Sequence, residues 1–432
     1  MTLHAAPLAP TLDRLATGEL NLHDLIDQAC DRLEREEARV QAFVPEADRR
    51  ARLHAEATAL TARFPDPPAR PPLFGALVGV KDIFITADLP TRAGSAFDPA
   101  LFQGPDAACV ARLRQAGALV LGKTVTTEFA YFEPGPTTNP HRATHTPGGS
   151  SSGSAAAVAA GLCHLALGTQ TIGSVVRPAA FCGIYGYKPS FGRIPTEGLI
   201  HFSRAADHVG CFTQDLDGIL VAARVLVSEW REQDAPTTLV LGIPEGPYLD
   251  QAATEARASF EDTVARLQAR GLEVRRVPLM ADIADIASRH HQLIAAEMAA
   301  EHQQWFEAQR TQYRPRTLAL IEEGRAIAPE IVANARQGQG RLRQEIHAAM
   351  AAHAIDLWLT PAALGPAPEG LASTGNPAMS LPWTHAGLPS LAIPSAWAEN
   401  GLPLAIQVVA AFGADERLLT SAKAHLAELL PR

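Results

Sequence analysis

Apolar residues recur along the chain in two rhythms, a helical period and short unbroken runs, and their alternation sets the expected architecture. Leu22, Leu25, Ile26, Ala29 and Leu33 fall on one helical face and Asp24, Asp27 and Asp31 on the other, so residues 21–60 predict an amphipathic arm. Prolines 65, 67, 68, 71 and 72 then make 64–72 a stiff, extended connector. From Ala76 the run ALVGV predicts a buried strand ending at Lys81 and Asp82, followed by a helix near 106–116, a stop at Gly117 and a second apolar strand, ALVLG. The same βαβ order returns at 238–278, where TLVLGI, a helix over 251–269 closed by Gly271, and EVRRVPL follow one another. Residues 281–355 read as nearly continuous helix. Beyond them LWLTPAA, SLAIP and PLAIQVVA add strands, and 414–429 a last helix. The expected fold is α/β, a large mixed, mostly parallel twisted sheet covered by helices on both faces. A helical arm over 1–63 is expected to pack on one compact body over 73–431, which carries a helical insertion at about 281–355.

Composition narrows the function. With 432 residues, 47% of them hydrophobic and 19% charged, the chain is long enough for a sizeable core. A net charge of −9 lacks the basic footprint that nucleic acid or anionic lipid selects, so neither partner is expected. The N-terminus has no charged, apolar leader and no run is long enough to span a bilayer, so a cytoplasmic protein is expected. Five cysteines without a CxxC pair predict buried thiols rather than disulfides or zinc. His290, His291, His302 and Glu297 do not share a helical face, so no metal is expected there and the histidines read as a solvated helix surface.

The chemistry concentrates in PGGSSSGSAAAVAAG at 147–161 and the following CHLALGTQTIGSVVRPAAFCG. A helix of nine residues advances roughly 14 Å and a strand of five returns about 16 Å, which sets the loops at Ser150 and Ser174 side by side. A serine hydroxyl is a poor nucleophile at neutral pH and needs a base and oxyanion donors. Lys81 closes a buried strand, where loss of hydration favours the neutral amine. Thr171, Ile172, Gly173 and Ser174 form a small-residue loop whose backbone N–H groups turn toward one point, with Gly173 supplying backbone freedom.

These residues, with GVKD at 79–82, KTVTTEF at 123–129, NPH at 139–141, TGNPAMSLPWTHAGLPSLAIP and GLPLAIQVV, resemble the amidase signature family in order over residues 20–428. The resemblance implies that Ser174 is the nucleophile, Ser150 a bridging serine held by a cis peptide, Lys81 the base and Ser151 a support for Ser150. It implies an oxyanion hole made by the N–H groups of 171–174 and no cofactor. Where many members read GTDTGGSIRQP this chain reads GTQTIGSVVRP, so Ile172 replaces a glycine and the arginine moves to Arg177. That arrangement resembles the malonamidase-like branch, in which the shifted arginine holds a substrate carboxylate. The β-branched Ile172 resists positive φ, so the loop must use ordinary angles or carry strain.

The expected activity is serine-dependent hydrolysis of a C–N amide in a small molecule. A carbamate, urethane or urea-type bond is an alternative, as is service as the amidase subunit of a tRNA-dependent amidotransferase, and a homodimer stays open. Arg177, Ser151, Thr169, Tyr131 and Trp383 are the candidate substrate contacts. Each has a plainer reading: Arg177 pairs with Glu128, Tyr131 and Trp383 belong to the core, and Lys81 simply closes a strand at the surface. Residues 149–153 also satisfy GxSxG, which would make Ser151 the nucleophile with a downstream base such as His353 or His385. That elbow needs a buried strand before it, and ATHTP is polar and ends in Pro147. His141 and His145 are read as shaping the loop.

Overall fold

In the computed structural model, which describes residues 3–427 and Leu429, ten strands form one sheet. They are β1 (Leu77–Lys81), β2 (Leu119–Thr124), β3 (Leu165–Gln170), β4 (Tyr185–Lys188), β5 (His208–Thr213), β6 (Val240–Glu245), β7 (Glu273–Pro278), β8 (Leu357–Pro361), β9 (Ser390–Trp397) and β10 (Pro403–Val409). Their order is β2-β1-β3-β5-β4-β9-β10-β8-β6-β7. The sheet is large and mixed, as expected, but its parallel ladders are confined to the flanks β2-β1-β3 and β8-β6-β7, and every pairing between them is antiparallel. The flanks are the two βαβ units visible in the sequence. The centre differs because β9 and β10 are joined by a hairpin too short for a crossover, and because β4 and β5, too short and glycine-rich to stand out in the sequence, pair antiparallel.

Within the arm a short helix, Leu8–Ala16, comes first, and the stretch 21–60 is two helices rather than one. Leu22–Val40 is capped by Asn21, whose side chain accepts from the N–H groups of His23 and Asp24, and ends where Gln41 turns left-handed (φ 51°). Phe43 and Val44 then run antiparallel beside β2, with Val44 N donating to Lys123 O at 2.8 Å, before a second helix spans Arg49–Arg63. The arm thus joins one apolar layer with Leu77, Ala155, Ala166 and Phe181 on one face of the sheet. The proline-rich connector contains a single 3-10 turn, Pro67–Ala69.

On that face lies the helix Ser152–Ala159, buried at every position. Its small residues permit close approach: a Cβ on Gly153 would stand 2.2 Å from Ala42 O and 2.4 Å from Val125 N. The opposite face carries the larger core, including the helices Ile283–Glu301, Pro315–Arg325 and Pro329–Ala352 of the expected helical insertion. The last helix spans Asp415–Ser421 and continues as a π turn to Leu426; residues 1, 2, 428, 430 and 431, which the expected segment bounds include, lie outside the described residues, as does residue 432. Among the described residues no helix is long and apolar enough to cross a membrane, and no cluster of three His, Cys, Asp or Glu is arranged to hold a metal.

Candidate active site

Lys81 ends β1, a strand buried at all five positions, and its Nζ hydrogen-bonds Ser150 Oγ and Thr169 Oγ1 at 2.7 Å each. It is fully buried and forms no ion pair among the described residues. Burial holds its pKa well below the ordinary lysine range, opposed only by the more distant Asp207. Burial therefore shifts the balance toward the neutral amine, the form that has a lone pair to offer a hydroxyl.

Ser150 follows a cis Gly149–Ser150 peptide. The next residue staples its loop to β3: Ser151 Oγ accepts from Thr169 N and donates to Thr169 O, both at 3.2 Å. Arg177 ties the same loop to the second one, donating to Gly149 O at 2.6 Å, to Gly375 O at 2.6 Å and to Thr374 O. Ser174 sits between these anchors, 7% exposed, and its hydroxyl makes no hydrogen bond among the described residues. The Lys81 to Ser150 contact is thus present in the free enzyme, whereas a bond between the two serine hydroxyls is not.

The loop before Ser174 is held from behind at each carbonyl. His290 Nε2 donates to Thr171 O at 3.0 Å, Thr384 Oγ1 to Ile172 O at 2.7 Å and Arg177 N to Gly173 O at 3.1 Å. Gln170 Oε1 accepts from Val175 N and Val176 N, closing the turn. The N–H groups of Ile172, Gly173 and Ser174 donate to no acceptor among the described residues. Ile172 keeps φ out of the left-handed region, so the unusual residue brings no strain there. Nor does Gly173 use a positive φ. Its bare Cα is needed for close approach, because a Cβ would stand 2.7 Å from Pro377 Cβ.

The Amidase family model matches residues 24–419. The chain belongs to the amidase family. Over 96% of this chain and 95% of the relative, it is 28% identical to a glutamyl-tRNA(Gln) amidotransferase subunit of Synechococcus sp. strain RCC307. It is 42% identical to the chloroplastic/mitochondrial counterpart from Zea mays over 46% of this chain, a stretch that spans 38% of that relative's length. A solved structure titled "Crystal structure of amidase" superposes with a TM-score of 0.87 at 31% identity, covering 96% of this chain and 98% of that one.

As in other amidases, the question is what reaches the site, and a cavity of about 680 Å³ ends on Ile172 and His290. Tyr131 lines it, as does Arg316, whose guanidinium donates to Phe132 O and Ala372 O but enters no ion pair among the described residues. Glu323, on the same helix as Arg316, also lines the cavity and accepts from His291 at 2.8 Å. Both charges act on Tyr131, whose hydroxyl is pushed up by burial and by Glu323 and pulled down by Arg316. A second cavity, about 650 Å³, lies between the arm and the core and borders Asp82, but none of its walls belongs to either serine loop.

Of the five residues expected to contact substrate, only Tyr131 lines the first cavity. Arg177 is 1% exposed with Nη1 and Nη2 on carbonyls and Nε buried without a partner among the described residues, so it is enclosed rather than presented to the cavity, and it does not pair with Glu128, which accepts from Arg314 N instead. Trp383 is fully enclosed and donates to Tyr248 Oη at 2.7 Å. Thr169 and Ser151 position Lys81 and the Ser150 loop. His290 and His302 are fully buried, not solvated: His302 bonds Tyr313 Oη, and only His291 is at the surface. The GxSxG alternative loses its base, because Ser151 Oγ touches only Thr169 and His385 pairs with His290. His141 Nε2 bonds Cys182 O, a shaping contact.

Proposed function

We propose that this chain hydrolyses the C–N bond of a small amide through an acyl-enzyme on Ser174, with Lys81 as base and Ser150 as bridge. The observation that carries this reading is a buried amine on Ser150 that enters no ion pair among the described residues, in the same site as a loop whose N–H groups at 172–174 meet no acceptor among them. As Ser174 Oγ bonds to the carbonyl carbon, its proton passes through Ser150 to Lys81 and the carbonyl π pair moves onto oxygen, held by the 172–174 N–H groups. Collapse breaks the C–N bond while Ser150 returns a proton to nitrogen, which an amide leaving group requires. Water then cleaves the ester by the same path. The bond between the serine hydroxyls forms once substrate enters, since catalytic hydrogen bonds commonly tighten only in the complex. Carbamates and urea-type bonds fit the same steps. Arg316, a cation in the cavity wall that enters no ion pair among the described residues, favours an acyl portion that carries an acid.

A second reading rests on the match to a subunit of glutamyl-tRNA(Gln) amidotransferases, in which case this chain would work beside partner proteins. Amide hydrolysis by the chain alone separates the two. In a panel of amides, carbamates and dicarboxylic monoamides, Ser174→Ala is expected to abolish turnover and the acyl adduct seen by intact mass, and Lys81→Ala to harm amides more than activated esters. Amide hydrolysis surviving Ser174→Ala would overturn the assignment.

A further inference from the structure

We propose that His290 and His385 form a positioning pair that aims the oxyanion-binding N–H of Ile172, with Thr384 doing the same for Gly173. A trans peptide is planar and sets its C=O and the following N–H in opposite directions. A donor that fixes Thr171 O on the far side of the loop therefore fixes Ile172 N–H on the near side, and a donor on Ile172 O fixes Gly173 N–H. His290 Nε2 and Thr384 Oγ1 occupy those two rear positions.

The proton placement follows from the partners. A carbonyl only accepts, so His290 carries its proton on Nε2, and in the neutral ring Nδ1 is then an acceptor. His385 Nδ1 lies 3.1 Å from it and must be the donor. The orientation of one imidazole thus sets the other, and burial keeps both rings neutral. Among the described residues His385 Nε2 is left buried without a partner, as is Arg289 Nε, and a Cβ on Gly338 would lie 3.5 Å from the first and 3.1 Å from the second. The pair spans 95 residues of sequence and joins Ile283–Glu301 to the short helix Leu381–His385, so the orientation of the oxyanion loop depends on how the helical insertion is seated.

The inference rests on the hydrolytic reading above, and one experiment separates the two. An aldehyde bearing a substrate's acyl group captures Ser174: Oγ bonds to the aldehyde carbon, the π pair moves to oxygen, and the Oγ proton passes through Ser150 to Lys81. The corresponding alcohol binds without forming that oxyanion. His385→Leu, a site outside the cavity, is expected to lower kcat about 10- to 100-fold with KM little changed, and His290→Leu, which alters the cavity wall, to lower kcat by a similar factor, since misplacing an oxyanion donor costs less than removing it. Both should weaken the aldehyde by a similar factor, His385→Leu should leave the alcohol unaffected, and His290→Gln, which keeps a donor, should recover part of the loss. Folded His290→Leu and His385→Leu proteins with normal kcat and aldehyde affinity would overturn the pair, as would a loss confined to KM. Should His385→Leu fail to fold, Thr384→Val reads the same effect at the next peptide, with the same two outcomes. An aldehyde that forms no adduct with wild-type Ser174 would instead sink the hydrolytic reading itself.

Discussion

Lys81 shows how function is set against stability at one residue. Because its folded pKa lies well below 10.5, the unfolded chain holds one more proton than the folded chain between those two values. Stability therefore rises with pH across that window, by about 1.4 kcal/mol per pH unit for this group. Lys81→Met keeps the volume and removes the titration, so it should be more stable than wild type at neutral pH, with the advantage shrinking toward pH 10, while amide turnover is lost. Parallel denaturation curves at several pH values check this, and in wild type kcat/KM should fall as acid protonates the amine. The contact of Lys81 with Ser150 was legible in the sequence because the lysine closes a buried apolar strand and the Gly/Ser run at 147–153 is locally distinctive, whereas the Ser174 hydroxyl bonds neither of them among the described residues. His290 and His385 were not legible: each acts on a group about a hundred residues away in sequence, and a histidine on a helix carries no sign of which carbonyl it will meet. Arg177 misled for the same reason, since only the packed structure surrounds it with carbonyls.

At the scale of elements, two glycines in helices make opposite demands. Gly153 lies against Ala42 O and Val125 N, so a methyl group must displace the backbone of the chain leaving β2 or of the arm beside it and shift the helix that begins beside Ser150. Gly153→Ala is expected to destabilise by about 3 kcal/mol or more, at the upper end of overpacking costs, and to reduce turnover. Gly340, inside Pro329–Ala352, has nothing within 4 Å of its would-be Cβ, so Gly340→Ala should stabilise by about 0.5–1 kcal/mol. Denaturation midpoints of the two variants should move in opposite directions. The sequence reading located most elements through their periodicity, but it ran the arm through 41–48. Its helical pattern resumes after the break, and only the left-handed Gln41 and the pairing of Phe43 beside β2 reveal the gap.

In the whole molecule, the two βαβ flanks were visible because each is local, while the antiparallel centre depends on strands brought together from residues 185 to 409. The cavity is likewise a product of assembly, its walls coming from the segment around Tyr131, from the insertion and from the loop near Pro377. Arg316 at its mouth is exposed, so Arg316→Gln should raise KM for acid-bearing amides and leave neutral amides unchanged. Arg177 is the opposite case: burial pulls its pKa to about 9, still a cation at neutral pH, and it is sealed beneath the Ser174 loop. Mobile ions shorten the reach of charge to roughly 3 Å at 1 M but do not enter a closed interior. Raising the ionic strength should therefore erase the preference for acidic amides while turnover of neutral ones persists, so a simple titration with sodium chloride distinguishes the arginine that meets the solvent from the arginine that never does.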